Sequence, residues 1–157
     1  MLDEAARPAH PADLAEVVDL ARVAIGELAL TKGGAQWARR HARPEPLDAS
    51  VAATLDDDDQ HLVVGTIDGS VVGYGAVRRD TLRDGGVIGV IDDLFVDPDA
   101  RGVGVGEAMM DQLLDWCRRC GCEGVDGLAL PGNRATKNFF ERYGLVARAI
   151  LVHKRLT

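Results

Sequence analysis

The stretch Arg101-Gly102-Val103-Gly104-Val105-Gly106 constrains this chain most, because of what stands on either side of it. Before it runs an apolar segment with two adjacent acids, Val90-Ile91-Asp92-Asp93-Leu94-Phe95-Val96. After it comes an amphipathic pattern in Ala108, Met109, Leu113, Leu114 and Cys117. Strand, glycine-rich turn and helix, in that order, set a row of backbone N–H groups at a helix N-terminus. Such a row is an anion site, and phosphate is its usual guest. Glycines let the backbone approach the anion with no Cβ in the way.

Spacing excludes two common phosphate loops. A nucleotide-triphosphate loop needs Gly-Lys-Ser/Thr at its end, and Gly106 is followed by Glu107-Ala108. The dinucleotide fingerprint needs a glycine three residues after the second, where this chain has Met109. Asp97-Pro98-Asp99-Ala100 also separates strand from glycines, whereas a dinucleotide turn starts directly off the strand. The pattern Arg101-x-x-Gly104-x-Gly106 after an apolar strand and an Asp-Pro turn instead resembles the pyrophosphate loop of the GNAT superfamily of N-acetyltransferases.

At 157 residues the chain reads as one domain, residues 1–157, long enough to bury a core without staples. No run approaches 18 uncharged apolar residues, so no membrane-spanning helix is expected. Met1-Leu2-Asp3-Glu4-Ala5 is acidic where a signal peptide is basic and then apolar, which predicts a cytoplasmic protein. Cys117, Cys120 and Cys122 crowd one helix end without a second cluster or a histidine to complete a four-ligand site. His10, His41, His61 and His153 show no ligand spacing either, so no metal is expected.

The net charge of −7 is unevenly spread. From Arg134 onward six Lys/Arg face one acid, Glu141, a local +5 that leaves −12 on the preceding 133 residues. An acidic body repels nucleic acid and favours cationic partners. The run Asp56-Asp57-Asp58-Asp59 reads as a solvated helix end or loop, with attraction of a polyamine or aminoglycoside-like base as the alternative.

The pattern along the chain predicts a short strand at Ala5–Arg7, a helix from Pro11 to Leu28, and two shorter helices at Gln36–Ala42 and Leu47–Leu55. Strands follow at His61–Ile67 and Ser70–Arg78, joined by the hairpin signal Asp68-Gly69, and then at Val87–Val96. A helix at Gly104–Arg119, a strand at Gly124–Leu130, a helix at Arg134–Arg142 and a closing strand at Leu145–Leu156 complete the series. This order predicts an α/β (α+β) domain whose mixed, mostly antiparallel central sheet is flanked by helices. It agrees with the GNAT fold over essentially the whole chain.

A second anchor supports the resemblance. The family typically follows its fifth strand with Asn, a small residue three further, Tyr at seven, Gly at eleven and a hydrophobic residue at twelve. The matching positions here are Asn133, Thr136, Phe140, Gly144 and Leu145. At the seventh position the family's tyrosine serves the departing thiolate as general acid, and Phe140 has no proton to give. Tyr143, a turn along on a neighbouring face, is the substitute candidate; otherwise the thiolate leaves unassisted or takes its proton through water.

The resemblance implies acetyl-CoA as cosubstrate and an amine as acceptor, and it admits a homodimer. The pantetheine arm would pair with the fourth strand at Leu94, Phe95 and Val96, a backbone N–H near Leu94 donating to the thioester oxygen. The pyrophosphate would sit on the amides of Arg101, Gly102, Val103, Gly104, Val105 and Gly106, at the positive end of the helix dipole. Asn133 and Phe140 would contact the pantetheine side, and Lys137, with Arg134, the nucleotide phosphates. Alternation sends Asp92 and Asp93 to opposite faces of the strand. Two acids inside an apolar strand are costly unless paired or solvated, which marks at least one as functional. Ile91 to Val96 looks like the acid-acid-aromatic strand of the family's di- and polyamine acetyltransferases, which implies Asp92 as base and Asp93 as cation ligand. The expected function is acetyl transfer to a primary amine of a small cationic molecule. A protein N-terminus or lysine is the second substrate class, and a CoA-binding sensor or assembly protein is the rival reading. Acceptor specificity falls mainly in residues 25–60 and the loop Asp80–Gly86, which carry no recognisable motif.

Overall fold

The computed structural model describes residues 1–157. Five strands form one sheet in sequence order: β1 (Glu4–Pro8), β2 (Gln60–Ile67), β3 (Ser70–Thr81), β4 (Val87–Val96) and β5 (Gly124–Gly127). The first four pair antiparallel and β5 joins β4 in parallel. Asp68 and Gly69 close the β2–β3 hairpin, both at positive φ, as a two-residue turn matched to strand twist requires.

Helices α1 (Leu14–Ala29) and α3 (Leu47–Asp56) cover one face of the sheet, and α2 (Gly34–Arg40) packs against α1. Helices α4 (Val105–Arg119) and α5 (Arg134–Arg142) lie on the other. Alternation along the central strands feeds both layers. Leu62, Val64, Tyr74 and Ala76 pack with Val17, Ala21 and Val51, while Val63 and Val77 pack with Met109, Met110 and Leu113. Because α4 lies directly on β2, a Cβ at Gly65 would collide with Val105 and Met109. This close seating fixes where the first turn of α4 points. Cys117 is buried in that layer, and burial pushes its thiol up to about 12, which leaves it inert at neutral pH.

Two readings of the sequence are corrected. Strand β5 stops at Gly127 rather than Leu130, because its pairing with β4 ends at Ile91↔Gly127. The chain then crosses to the α1–α2 junction, where Gly132 lies against Thr31 and Lys32. Residues Leu145–Leu156 form no strand: beyond Leu145, whose N–H reaches the Phe140 carbonyl, no backbone hydrogen bond is made. An apolar extended run supplies strand propensity but not a strand; that needs a neighbouring edge. No helix is long and apolar enough to cross a membrane.

Candidate active site

The site begins with an irregularity in β4. Asp93 lies opposite Ala76 and Ile91 opposite Val77, which leaves Asp92 as an extra residue in a β-bulge. The bulge falls at the point where β5 stops pairing with β4. It also changes the expected disposition of the two acids. Plain alternation put them on opposite faces, yet Asp92 and Asp93 line the same cavity of about 400 Å³ with residues His41–Pro44, Ser50, Ala53, Thr54 and Gln60.

Beyond the bulge, one edge of β4 is free. The Asp97 N–H donates to the Val72 carbonyl on β3. Neighbouring residues in a strand direct their backbone groups to opposite sides, so Leu94 and Val96 present theirs to the open edge. The Val96 carbonyl there accepts from Arg101 Nε at 2.9 Å. This edge, Leu94 to Val96, forms one wall of a second cleft of about 380 Å³. The loop Ala100–Gly106 and residues of α5 form the rest.

At the floor of that cleft stands the N-terminus of α4. Its N-cap, Gly104, has no side chain to offer, and the first helical bond runs from the Ala108 N–H to the Gly104 carbonyl. The amides of Val105, Gly106 and Glu107 precede that bond, at the positive end of a 15-residue helix. Gly104 sits at φ +101°, a conformation L side chains rarely adopt. Gly104→Ala is therefore expected to cost about 1–3 kcal/mol of backbone strain or to move the loop. Calorimetry should find acetyl-CoA binding weakened by roughly tenfold or more, since each ~1.4 kcal/mol is a factor of ten. Unchanged binding would remove the loop from the site.

The remaining expected residues divide. Asn133 caps α5 by accepting from the Thr136 N–H, and it lines the cleft. Phe140 points instead into the core beside Ile91, its ring filling the place where a Cβ on Gly127 would stand. Its neighbour Phe139 faces the cleft and packs against Gly106. Lys137 turns outward to pair with Glu141, and Arg142 takes the cleft position, 3.5 Å from Glu107. Tyr143 lies outside both cavities, donating its hydroxyl to the Glu107 carbonyl. Arg101 acts through its side chain as a strap. It lies over the Phe95 ring, 5.3 Å from its centre, and meets Glu27 of α1 at 3.0 Å.

Sequence reasoning missed the residue that organises the cavity of the two acids. Arg43, from the α2–α3 connection, is buried with 8% of its side chain exposed and pairs with Asp93. It also donates to the Ser50 carbonyl, Ser50 Oγ and Thr54 Oγ1 at 2.8–3.2 Å. Asp93 accepts a further bond from the buried Tyr74 hydroxyl at 3.1 Å, where burial raises the phenol well above its usual range. Asp93 is thus fully engaged. Asp92 is the accessible acid, 39% exposed and 3.0 Å from Arg78 on β3. Desolvation raises its pKa above the ordinary carboxylate value; the Arg78 charge opposes that shift, and Asp93 adds to it. No local signal marked Arg43, because its partner lies 50 residues away in sequence.

The chain belongs to the GNAT acetyltransferase family, whose profile matches residues 28–145. It is 28% identical over 107 residues to a glucosamine 6-phosphate N-acetyltransferase of Arabidopsis thaliana, covering 68% of this chain and 66% of that protein. It is 32% identical over 81 residues to one of Trypanosoma brucei brucei, covering 50% of this chain and 53% of that protein. The chain thus spans about two fifths to two thirds of the length of the curated relatives it matches. Among solved structures, the Arabidopsis enzyme superposes with a TM-score of 0.70 at 23% identity over 99% of both chains. A Bacillus halodurans protein, BH1408, superposes at 0.80 and 16% identity, over 96% of this chain and 99% of that one. These last two likenesses concern the fold.

Proposed function

We propose that this protein transfers an acetyl group from acetyl-CoA to a primary amine by direct attack on the thioester. The observation that carries the reading is the continuous path along β4. Phosphate-ready amides stand at one end, unpaired strand groups in the middle and an accessible carboxylate of raised pKa at the other. Acetyl-CoA supplies the activated acyl group. The amides of Val105, Gly106 and Glu107 hold its diphosphate, and the Leu94 and Val96 edge receives the amide-bearing arm as an added strand. Asn133 and Phe139 close the opposite side. The Leu94 N–H then stands to donate to the oxygen on which negative charge develops. Asp92 removes the proton from the acceptor ammonium, directly or through a water, since aspartate is short. Asp93, held by Arg43 and Tyr74, positions the bulge.

The acceptor is a small molecule carrying an amine. A purely cationic acceptor was the expectation from the acidic pair, but both acids are already matched by arginines. Arg39, Arg40 and His41 come at the end of α2, and His41 lines the same cavity. This favours an amine that also carries an anionic group, as does glucosamine 6-phosphate, named for the relatives' activity. Phe140 is core rather than cleft and Tyr143 is turned away, so departure of the thiolate relies on water or on its own low basicity. Tyr143→Phe should accordingly change kcat by less than about threefold, against the roughly 10²–10⁴-fold expected of a general acid.

The test is release of CoA measured across a panel of cationic amines, amino-sugar phosphates and N-terminal peptides, with a thermal shift by acetyl-CoA alone. Turnover with a small amine supports the reading. A shift without turnover selects a CoA-binding sensor, and neither response removes the function altogether.

A further inference from the structure

Asp92 has a single ion-pair partner, Arg78 of β3, and this pair is built unlike the Arg43–Asp93 pair beside it. Tyr74 and Ala76 pack into the core beneath α1 and α3, and alternation along β3 sets Arg78 on the same face, opposite Gln60 of β2. Regular pleating would turn Asp92 to the other face. The bulge brings it round into the cavity that Gln60 also lines. Arg78 Nε then lies 3.0 Å from Oδ2 and 3.4 Å from Oδ1 of Asp92. Its two terminal nitrogens make no hydrogen bond, so the guanidinium ties no loop or helix into place. Arg43 is the opposite case, buried and holding Asp93, Ser50 and Thr54 together.

We propose that Arg78 is a positioning residue for acetyl transfer: it holds Asp92 charged and in place until the acceptor ammonium takes over as its counter-ion. This rests on Asp92 as the proton acceptor proposed above. A carboxylate that is to accept a proton has to be charged before the amine arrives. Burial works against that charge, and the neighbouring Asp93 adds to the difficulty. Arg78 is the main group opposing both, and Arg43 a lesser one. His41, Ser50, Thr54 and Gln60 complete the polar lining of the cavity, and of these only His41 is ionisable. The pair is also weak enough to yield. Arg78 and Asp92 keep 42% and 39% of their side chains exposed, and an exposed ion pair contributes little. The arriving ammonium carries the same charge as the guanidinium, so the exchange never strands the carboxylate. One proton then passes from the amine nitrogen to Asp92, and the freed lone pair attacks the thioester carbonyl. The second nitrogen proton leaves with the CoA thiolate through water. Asp92 returns its own proton to water as Arg78 moves back.

The experiment compares the native chain with Arg78→Met, which keeps the aliphatic stem, and Arg78→Lys, which keeps the charge without the planar donor. Two readouts are followed across pH. The first is the carbon NMR signal of the Asp92 carboxyl in aspartate-labelled protein, assigned by its loss in Asp92→Asn. Its titration midpoint should be higher in Arg78→Met than in the native chain, with Arg78→Lys between the two. The second is kcat/KM for the fastest-turning amine of the panel above, whose acid limb should move to higher pH in step with the carboxyl. Above that limb, Arg78→Met should return to within about fivefold of the native value, the worth of an exposed ion pair. Its thermal midpoint should stay near the native one. An unmoved carboxyl midpoint in Arg78→Met, an acid limb that stays put while the carboxyl moves, or a loss of equal size at every pH would each overturn the proposal. The carboxyl titration needs no acceptor, so an unmoved carboxyl in an active enzyme removes Arg78 alone and leaves acetyl transfer standing. Absence of turnover with every amine of the panel removes the proposed activity, and this role with it.

Discussion

Asp92→Asn is expected to lower kcat/KM by about 10²–10⁴-fold, the range for loss of a positioned proton acceptor. The pH profile carries the sharper signature. Desolvation holds the native Asp92 carboxyl above the ordinary carboxylate range, so activity should fall as pH drops through that raised value. The asparagine variant should lack this acid limb. Stability should move the other way or not at all. A carboxyl whose pKa is raised on folding contributes stability below its unfolded value and loses it as pH rises through the folded value. At neutral pH the ionised Asp92 is therefore a burden on the fold, only partly relieved by Arg78. A variant that is inactive yet no less stable to heat supports the assignment. Full activity with an unaltered acid limb would exclude Asp92 as the base.

Arg43→Met should be the most destabilising single change near the site. It leaves Asp93, 13% exposed, charged and without its cation, along with the Tyr74 hydroxyl bonded to it. Breaking one side of a buried pair costs about 3–5 kcal/mol, which in a domain of this size lowers Tm by roughly 6–20 °C. Arg43→Met/Asp93→Asn should recover most of the loss, since a neutral pair needs no compensating ion. Urea denaturation of the two variants at neutral pH checks both statements. A loss below about 1 kcal/mol for the single variant would mean that the cavity is solvated and Asp93 free to bind the acceptor.

The parts of the site that were legible in sequence are those built by consecutive backbone. Strand, Asp-Pro turn, glycines and helix form one local unit, and Gly102 and Gly104 stand in the left-handed conformations their type allows. Asn133 caps α5 for a similarly local reason. The hairpin at Asp68-Gly69 and every helix were legible through periodicity and turn chemistry. The phase of α5 was not. Phe139 and Phe140 are adjacent apolar residues, and which faces the cleft follows from how α5 seats Phe140 over Gly127. The strand expected from Leu145 onward rested on composition alone, and the segment pairs with no strand of the sheet. Arg43 gave no sign at all, as a lone arginine in a loop reads as solvated surface.

Sequence by itself determined the order of elements through α5, the helices on both faces of the sheet and the glycine-rich turn before α4, because each rests on contacts or dihedrals within a few residues. Tertiary structure alone decided that Asp92 and Asp93 share one cavity, for a bulge exists only relative to the strand it is paired with. It likewise divided their labour: a cation arriving from 50 residues away holds one acid and leaves the other accessible. Long-range pairing of charges depends on where the fold brings them, and no short window of residues encodes that.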